Sequence, residues 1–378
     1  MKNKLHDTVV ILNQASGYLQ LDMLHAYSKK YKCCVLIAGS LVTRSSSFQE
    51  DWIFHRVCVY DRKTTFRRIY TWLAGTLGML WIVLTRYRKA HIVAITNPPF
   101  SVFIPWFLRC SYDIVIYDMY PDALVEYNFT TRSSIFYRLW SFLNRFTFRG
   151  ARKVFALTEG MKERANHYMS SSNNVEVVHL WSNSEDFEYV KRSDNFILKK
   201  TQSQDKFTIV YSGNLGLTHP LEKLVNLAGY LEPTEFSIII IGEGAKTNRL
   251  KQLVQDLGYE HVYFLPWQPI EYFSHNLHAA DINVVTLDQK ASNLSIPSKT
   301  FNILTIGNPI LAICSKQSAL ANIVYKYNCG IVSDGCNMEE VAKKIKVFKE
   351  TPAELKRLRM NSEKASRSFT KTNAEAYL

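Results

Sequence analysis

The amino-acid sequence predicts two doubly wound α/β domains, each a parallel sheet covered by helices on both faces. Three observations predict this. Short runs of β-branched and aliphatic residues alternate with longer stretches of helical spacing, the pattern of parallel strands joined by crossover helices. Some runs, above all Ile238-Ile239-Ile240-Ile241, are apolar on both faces and need cover on both sides. The alternation stops once, between Ser182 and Lys206, and then resumes, and two domains fill a chain of 378 residues.

In the first half the strand candidates are Val9–Leu12, Cys33–Ala38, His91–Thr96, Asp113–Tyr117, Val154–Leu157 and Val175–Leu180. Helical spacing covers Tyr18–Tyr31, Phe66–Tyr87, Ser133–Arg149 and Gly160–Tyr168. In the second half the strands are Phe207–Tyr211, Phe236–Ile241, Val262–Leu265, Ile282–Leu287 and Pro309–Ile313, again with helical stretches between them. The expected division is a first domain over 1–185, a linker over 186–206, a second domain over 207–350 and a helical segment over 351–378. Open parallel sheets bind ligands at the carboxyl ends of their strands. Two such domains facing each other would place a site in a cleft.

Hydrophobic residues at 47 % and charged residues at 21 % exclude a disordered chain. The net charge of +13 lies mostly in residues 1–185, which carry 23 Lys and Arg against 13 Asp and Glu. A basic, aromatic-rich half suits an anionic partner such as phospholipid headgroups or a pyrophosphate-linked acceptor, or it is a solvated surface. No basic run forms a recognisable nucleic-acid module, so nucleic acid is not expected. The seven cysteines are scattered, several inside strand-like runs, and no CxxC pair exists; they read as reduced thiols in a cytoplasmic protein, without a zinc site.

Met1-Lys2-Asn3-Lys4 leads straight into a strand, which does not read as a signal peptide. The longest apolar stretch, Ile69–Leu84, is short for a membrane span. Arg62, Lys63, Arg67 and Arg68 precede it, and Arg86, Arg88 and Lys89 follow. It reads first as a buried helix covering a sheet, and alternatively as a helix lying in the interface of an anionic membrane.

The loop Tyr211-Ser212-Gly213-Asn214-Leu215-Gly216 follows the first strand of the second domain, where glycine lets backbone approach a phosphate. Ile241-Gly242-Glu243-Gly244 ends the next strand in a similar turn. In Ser295-Ile296-Pro297-Ser298-Lys299-Thr300-Phe301-Asn302, Ser298 reads as a helix N-cap with Lys299 in the first turn. A cation there opposes the helix dipole at a cost of about 0.3–1 kcal/mol, and a bound phosphate reverses that sign. Asn302 falls on the same helical face. These residues are candidates to hold a diphosphate and a ribose, with Trp267, Ser295 and Pro297 completing the donor set and Gly17 offering a backbone amide from the first domain. There, Asp118 is a candidate to orient or deprotonate an acceptor hydroxyl. Asn97 and Asp122, which also follow strands, are candidate acceptor contacts. Either acid could instead cap its turn.

At these residues the chain resembles the GT-B fold glycosyltransferases of family four, in the branch that builds bacterial surface polysaccharides of colanic-acid and O-antigen type. The resemblance rests on Tyr211–Gly216, Ile241–Gly244, Phe264-Leu265-Pro266, Ala279-Ala280-Asp281, Pro297-Ser298-Lys299, Gly307-Asn308-Pro309-Ile310-Leu311 and, in the first half, Asp118-Met119-Tyr120-Pro121-Asp122. It covers nearly the whole chain. It implies two Rossmann-like domains and retaining transfer from a nucleotide-sugar, commonly a UDP-sugar, to a lipid-linked or saccharide acceptor at the inner face of the membrane. It also implies that no metal or other cofactor is needed, and no D-x-D motif occurs. The sequence departs from the family where the Gly-Arg loop has Asn214, where a following lysine is His219, and where the paired glutamates are Leu294 and Asn302. On this reading Lys299 takes over the phosphate and Asn302 the ribose. The alternatives are a nucleotide-sugar 2-epimerase and a catalytically silent membrane-associated subunit.

Overall fold

The computed structural model describes residues 7–43, 45–61, 63–126, 128–169, 175–289, 292 and 295–378. Met1 to Lys4, Arg62, Asn293 and Leu294 therefore lie outside the described residues. The chain divides into two units. One comprises 1–180, 293–295 and 371–378; the other comprises 181–292 and 296–370.

In the first unit the order is β1 (Thr8–Leu12), β2 (Ala15–Ser16), α1 (Tyr18–Ser28), β3 (Cys33–Ala38), β4 (Ser40–Leu41), β5 (Ile53–Arg56), α2 (Thr65–Ile82), β6 (His91–Ile95), α3 (Phe103–Phe107), β7 (Ser111–Ile116), α4 (Asp122–Glu126), α5 (Ile135–Gly150), β8 (Val154–Ala156), α6 (Glu159–Asn166) and β9 (Val175–Val177). Seven of the strands form a parallel sheet in the order β5-β3-β1-β6-β7-β8-β9. Its central strands are buried along their full length, as apolar runs without alternation require.

The second unit contains α7 (Phe196–Lys200), β10 (Phe207–Ser212), α8 (Leu221–Ala228), β11 (Phe236–Ile241), α9 (Thr247–Asp256), β12 (Val262–Leu265), α10 (Phe273–His278), β13 (Ile282–Thr286), α11 (Lys299–Thr305), β14 (Ile310–Ile313), α12 (Ala319–Tyr327), β15 (Gly330–Ser333), α13 (Met338–Glu350) and α14 (Pro352–Ser366). Its parallel sheet runs β12-β11-β10-β13-β14-β15. Strand order reverses direction between β10 and β13, and the ends of these two strands border the loops singled out above. Each predicted strand is present. Two further edge strands, β5 and β15, escaped the sequence reading because Ile53–Arg56 lacks an apolar run and Gly330–Ser333 holds only two aliphatic residues, Ile331 and Val332.

Three expectations are corrected. Residues 186–206 are not a free linker. Ile197 and Leu198 on α7 are fully buried against Leu265 and Ala279. Arg192 donates to the carbonyls of Gln204 and Ser203 at 2.6 and 3.1 Å and pairs with Asp281 at 3.2 Å. The polar composition hid an anchored segment. The 351–378 tail is also not one piece: α14 stays with the second unit, whereas 371–378 pack on α1 of the first. Finally, α2 is not a buried helix. Thr71, Trp72, Gly75 and Met79 face inward, but a full stripe of large apolar side chains faces out.

Candidate active site

In the second unit the carboxyl ends of β10, β11 and β13 converge with the start of α11. The turns after β10 and β11 interlock. The Gly213 N–H donates to the Ile241 carbonyl at 2.9 Å, and the Leu215 N–H donates to the Glu243 carbonyl at 3.0 Å. Gly242 has a φ of +135°, and a Cβ there would lie 2.0 Å from the Gly213 carbonyl oxygen, so only glycine fits. A Cβ on Gly244 would come within 2.4 Å of the Leu215 backbone and 2.8 Å of Asn214 Oδ1. Two glycine turns read separately in the sequence are thus one packed structure.

Lys299 reaches into it. Its Nζ lies where a Cβ on Gly213 would stand, 2.3 Å from that position, and 3.9 Å above the centre of the Tyr211 ring. The amine is buried and makes no hydrogen bond among the described residues. Loss of hydration lowers its pKa to about 7. Tyr211 is fully buried, and its hydroxyl donates to the Asn214 carbonyl at 2.8 Å. The His219 ring packs edge-on to Tyr211, and its Nδ1 lies 3.0 Å from the Thr286 hydroxyl. Burial, and then the Lys299 charge, lower this imidazole to about 4, so it is neutral near pH 7. Lys246 closes the side of the loop, bonding to the His219 carbonyl at 2.8 Å and to Glu222 at 2.9 Å.

The other donor candidates are placed less uniformly. Ser298 has helical backbone angles and its side chain caps nothing, which corrects the N-cap expectation. Pro297 accepts from the Thr300 N–H at 3.0 Å and so shapes the turn that aims Lys299. Asn302 is buried, with its Oδ1 taking the Ser182 hydroxyl at 2.9 Å, whereas Lys299 turns toward Gly213. One face of α11 therefore serves two neighbourhoods. Trp267 is half exposed in the loop after the edge strand β12, and Ser295 belongs to the short piece grouped with the first unit. Leu294 lies outside the described residues. Tyr211 and Thr286 were missed, and His219 was noted only as a departure. Tyrosine ending an otherwise aliphatic strand was the one available signal.

In the first unit, the Thr96 hydroxyl accepts from the N–H groups of Tyr117 and Asp118 at 2.9 and 3.1 Å and holds the turn after β7. Asp118 is exposed, although the protein packed around it removes part of its hydration and raises its carboxyl above the usual range. Asn97 lies at the end of β6, and its carbonyl accepts from the Gln14 N–H at 2.6 Å. Gly17 precedes α1, but its amide is already taken by Gln20 Oε1 at 2.9 Å. Asp122 is 2 % exposed, accepts from the Tyr137 and Tyr168 hydroxyls, and faces Arg164 at 3.4 Å. Its acceptors are used within the fold, which corrects its assignment as an acceptor contact.

Residues 193–365, which include all of this second-unit cluster, match the family model for glycosyl transferases group 1. This stretch belongs to the group 1 glycosyltransferases. The chain is similar to WbjE of Pseudomonas aeruginosa, named as a glycosyltransferase, with 21 % identity over 251 residues, 65 % of this chain and 63 % of that protein. It is similar to WcaI of Escherichia coli K12, a glycosyl transferase named for colanic acid biosynthesis, with 28 % identity over 172 residues, 45 % of this chain and 42 % of that one. The matched stretches thus span less than two thirds of either relative. Beyond that stretch the likeness is structural: the structure of HepE from Anabaena in complex with UDP-glucose superposes with a TM-score of 0.72 at 14 % identity, covering 98 % of this chain and 97 % of that one. At that identity the likeness establishes the GT-B fold alone.

Proposed function

We propose that this protein transfers a sugar from a UDP-sugar to a lipid-linked or saccharide acceptor in the assembly of a surface polysaccharide, with retention at the anomeric carbon and without an essential metal. The observation that carries the reading is Lys299, a buried amine above a glycine turn with a ring beneath it but no hydrogen-bond partner among the described residues. Leaving such a group unpaired is costly, and a diphosphate oxygen supplies the missing acceptor. As the bond from the anomeric carbon to the β-phosphate oxygen breaks, negative charge builds on the leaving nucleotide, and a fixed cation there lowers the barrier. In the first unit, Asp118 orients the attacking hydroxyl or accepts its proton; its raised pKa suits proton transfer. The HepE complex with UDP-glucose and the colanic acid name of WcaI support the choice of donor and pathway class. The basic first half supports work at the cytoplasmic face of an anionic membrane.

Calorimetric titration of UDP into the wild-type chain and Lys299→Ala tests this. A charge-assisted hydrogen bond contributes roughly 1.5–3 kcal/mol, so the variant should bind UDP about 10- to 150-fold more weakly, with its melting temperature little changed. Equal UDP affinity would remove Lys299 from the phosphate site. The absence of the family's arginine at Asn214 keeps a silent subunit as the second reading. That protein would bind UDP yet turn over no UDP-sugar with any acceptor. An epimerase would convert the donor with no acceptor present.

A further inference from the structure

We infer that α2, α3 and α5 together form the surface by which the first unit lies on an anionic phospholipid bilayer. This rests on the proposed reading only in that a lipid-linked acceptor gives such docking a use. Helix α2 presents Phe66, Tyr70, Leu73, Leu77, Trp81 and, in the π-helical turn that follows it directly, Leu84 to solvent as a single stripe, with Phe66 78 % exposed. Helix α5 presents Ile135, Phe136, Leu139, Phe142 and Phe146, with Ile135 85 % exposed. Between them α3, which touches both, adds exposed Phe107. A water-facing surface of this size on a monomer marks a contact.

The inner faces explain why the outer ones are aligned. Trp72 of α2 packs edge-on to Tyr120 at 5.5 Å, and Tyr120 stacks on Trp140 of α5 at 5.9 Å. On the outer side, partly exposed Trp106 of α3 meets Phe146 of α5 at 6.3 Å and joins the two stripes. The Gln14 amide donates to the Thr71 carbonyl at 2.6 Å and would meet a Cβ on Gly75 at 2.3 Å, so α2 is seated closely on the sheet. The segment Thr65–Tyr87 is long and apolar enough to cross a membrane. With one face tied to the domain in this way, it lies along a surface instead.

Charge selects the occupant. No Asp or Glu occurs between Asp61 and Asp113, or between Glu126 and Glu159, the two stretches that contain these helices. Lys63, Arg67, Arg86 and Arg88 flank the α2 stripe, and Arg138 and Arg145 sit within that of α5, all exposed. Arg67 pairs with Asp61 at 3.1 Å, and the other named cations outnumber that acid; a predominantly cationic rim around aromatic and aliphatic side chains complements anionic headgroups over an acyl layer. It would repel a second copy of itself. Crossover helices run antiparallel to their strands, so the N-termini of α2 and α5 lie toward the carboxyl edge that holds Asp118.

Flotation of the full-length chain with vesicles of phosphatidylglycerol and phosphatidylcholine tests the surface. The wild type should partition onto anionic vesicles at least tenfold more than onto pure phosphatidylcholine and be released by alkaline carbonate. Leu77→Asp combined with Phe142→Asp, both at exposed positions, should lose at least tenfold while keeping its melting temperature and UDP affinity. Failure of the wild type to bind, equal binding by the variant, or resistance to carbonate would overturn the inference. So would a wild-type dimer that the variant dissolves without any change in vesicle binding. Failure to bind UDP would strike the donor reading and leave the vesicle result standing.

Discussion

Burial sets Lys299 to about 7, so near neutral pH the amine is shared between its charged and neutral forms. A diphosphate beside it favours the charged form, and binding takes up a proton. UDP affinity should therefore be greatest below about pH 7 and fall by up to about tenfold per pH unit above it. Lys299→Met should flatten that slope; titrations near pH 6 and near pH 8.5, read for affinity, decide the point. The same shift acts on folding. The folded value lies below the ordinary 10.5, so between about pH 7 and 10.5 the unfolded chain binds more protons, and this group's contribution to stability rises with pH. The residue was legible in the sequence from its place after Pro297-Ser298. Its neighbour across space, Gly213, was not, because 86 positions of chain separate them. Asn302 shows the converse: a correct helical face placed it beside Lys299, yet its partner is Ser182 from another segment.

The strand-end turns behave as one element. Gly242→Ala would force a methyl against the Gly213 carbonyl and place alanine at a φ of +135°. We expect a loss of about 2–4 kcal/mol in stability, or a displaced turn, together with weaker UDP binding, because the Gly213 turn also seats the Lys299 amine. Urea unfolding followed by UDP titration measures both; an alanine variant of unchanged stability would mean that the two turns are not interlocked. The glycines themselves stood out in the sequence as phosphate-loop candidates. Their packing role did not, since it depends on the parallel pairing of β10 with β11. For α2 the apolar stripe was equally visible, but helical spacing alone does not say whether a stripe faces a sheet or water. Gly75, Trp72 and Met79 on the opposite side make that choice.

Along the chain as a unit, the last residues return to the first domain. The Tyr27 hydroxyl donates to the Tyr377 carbonyl at 2.9 Å, and the Tyr377 ring packs on Phe155 at 4.8 Å, fully buried. Deleting 371–378 uncovers Tyr27 and Phe155, a loss of about 3–5 kcal/mol for a buried aromatic. Calorimetry should show the first unit melting earlier, with the UDP-stabilised second unit unmoved. An equal fall for both would sink this assignment of the tail.

The alternation of aliphatic runs and helical stretches determined two parallel α/β units, because strands buried on both faces and crossover helices each leave a local pattern. The glycine turns, Lys299 and Asp118 were likewise set by position at strand and helix ends. Tertiary structure alone decided what those residues meet. It seated the Lys299 amine over Tyr211 and Gly213, turned Asn302 to Ser182, enclosed Asp122 among Tyr137, Tyr168 and Arg164, and drew the polar segment around α7 into a core. The reason is physical. Secondary structure answers to neighbours a few positions away, whereas partners and burial answer to segments that only the folded sheet brings together.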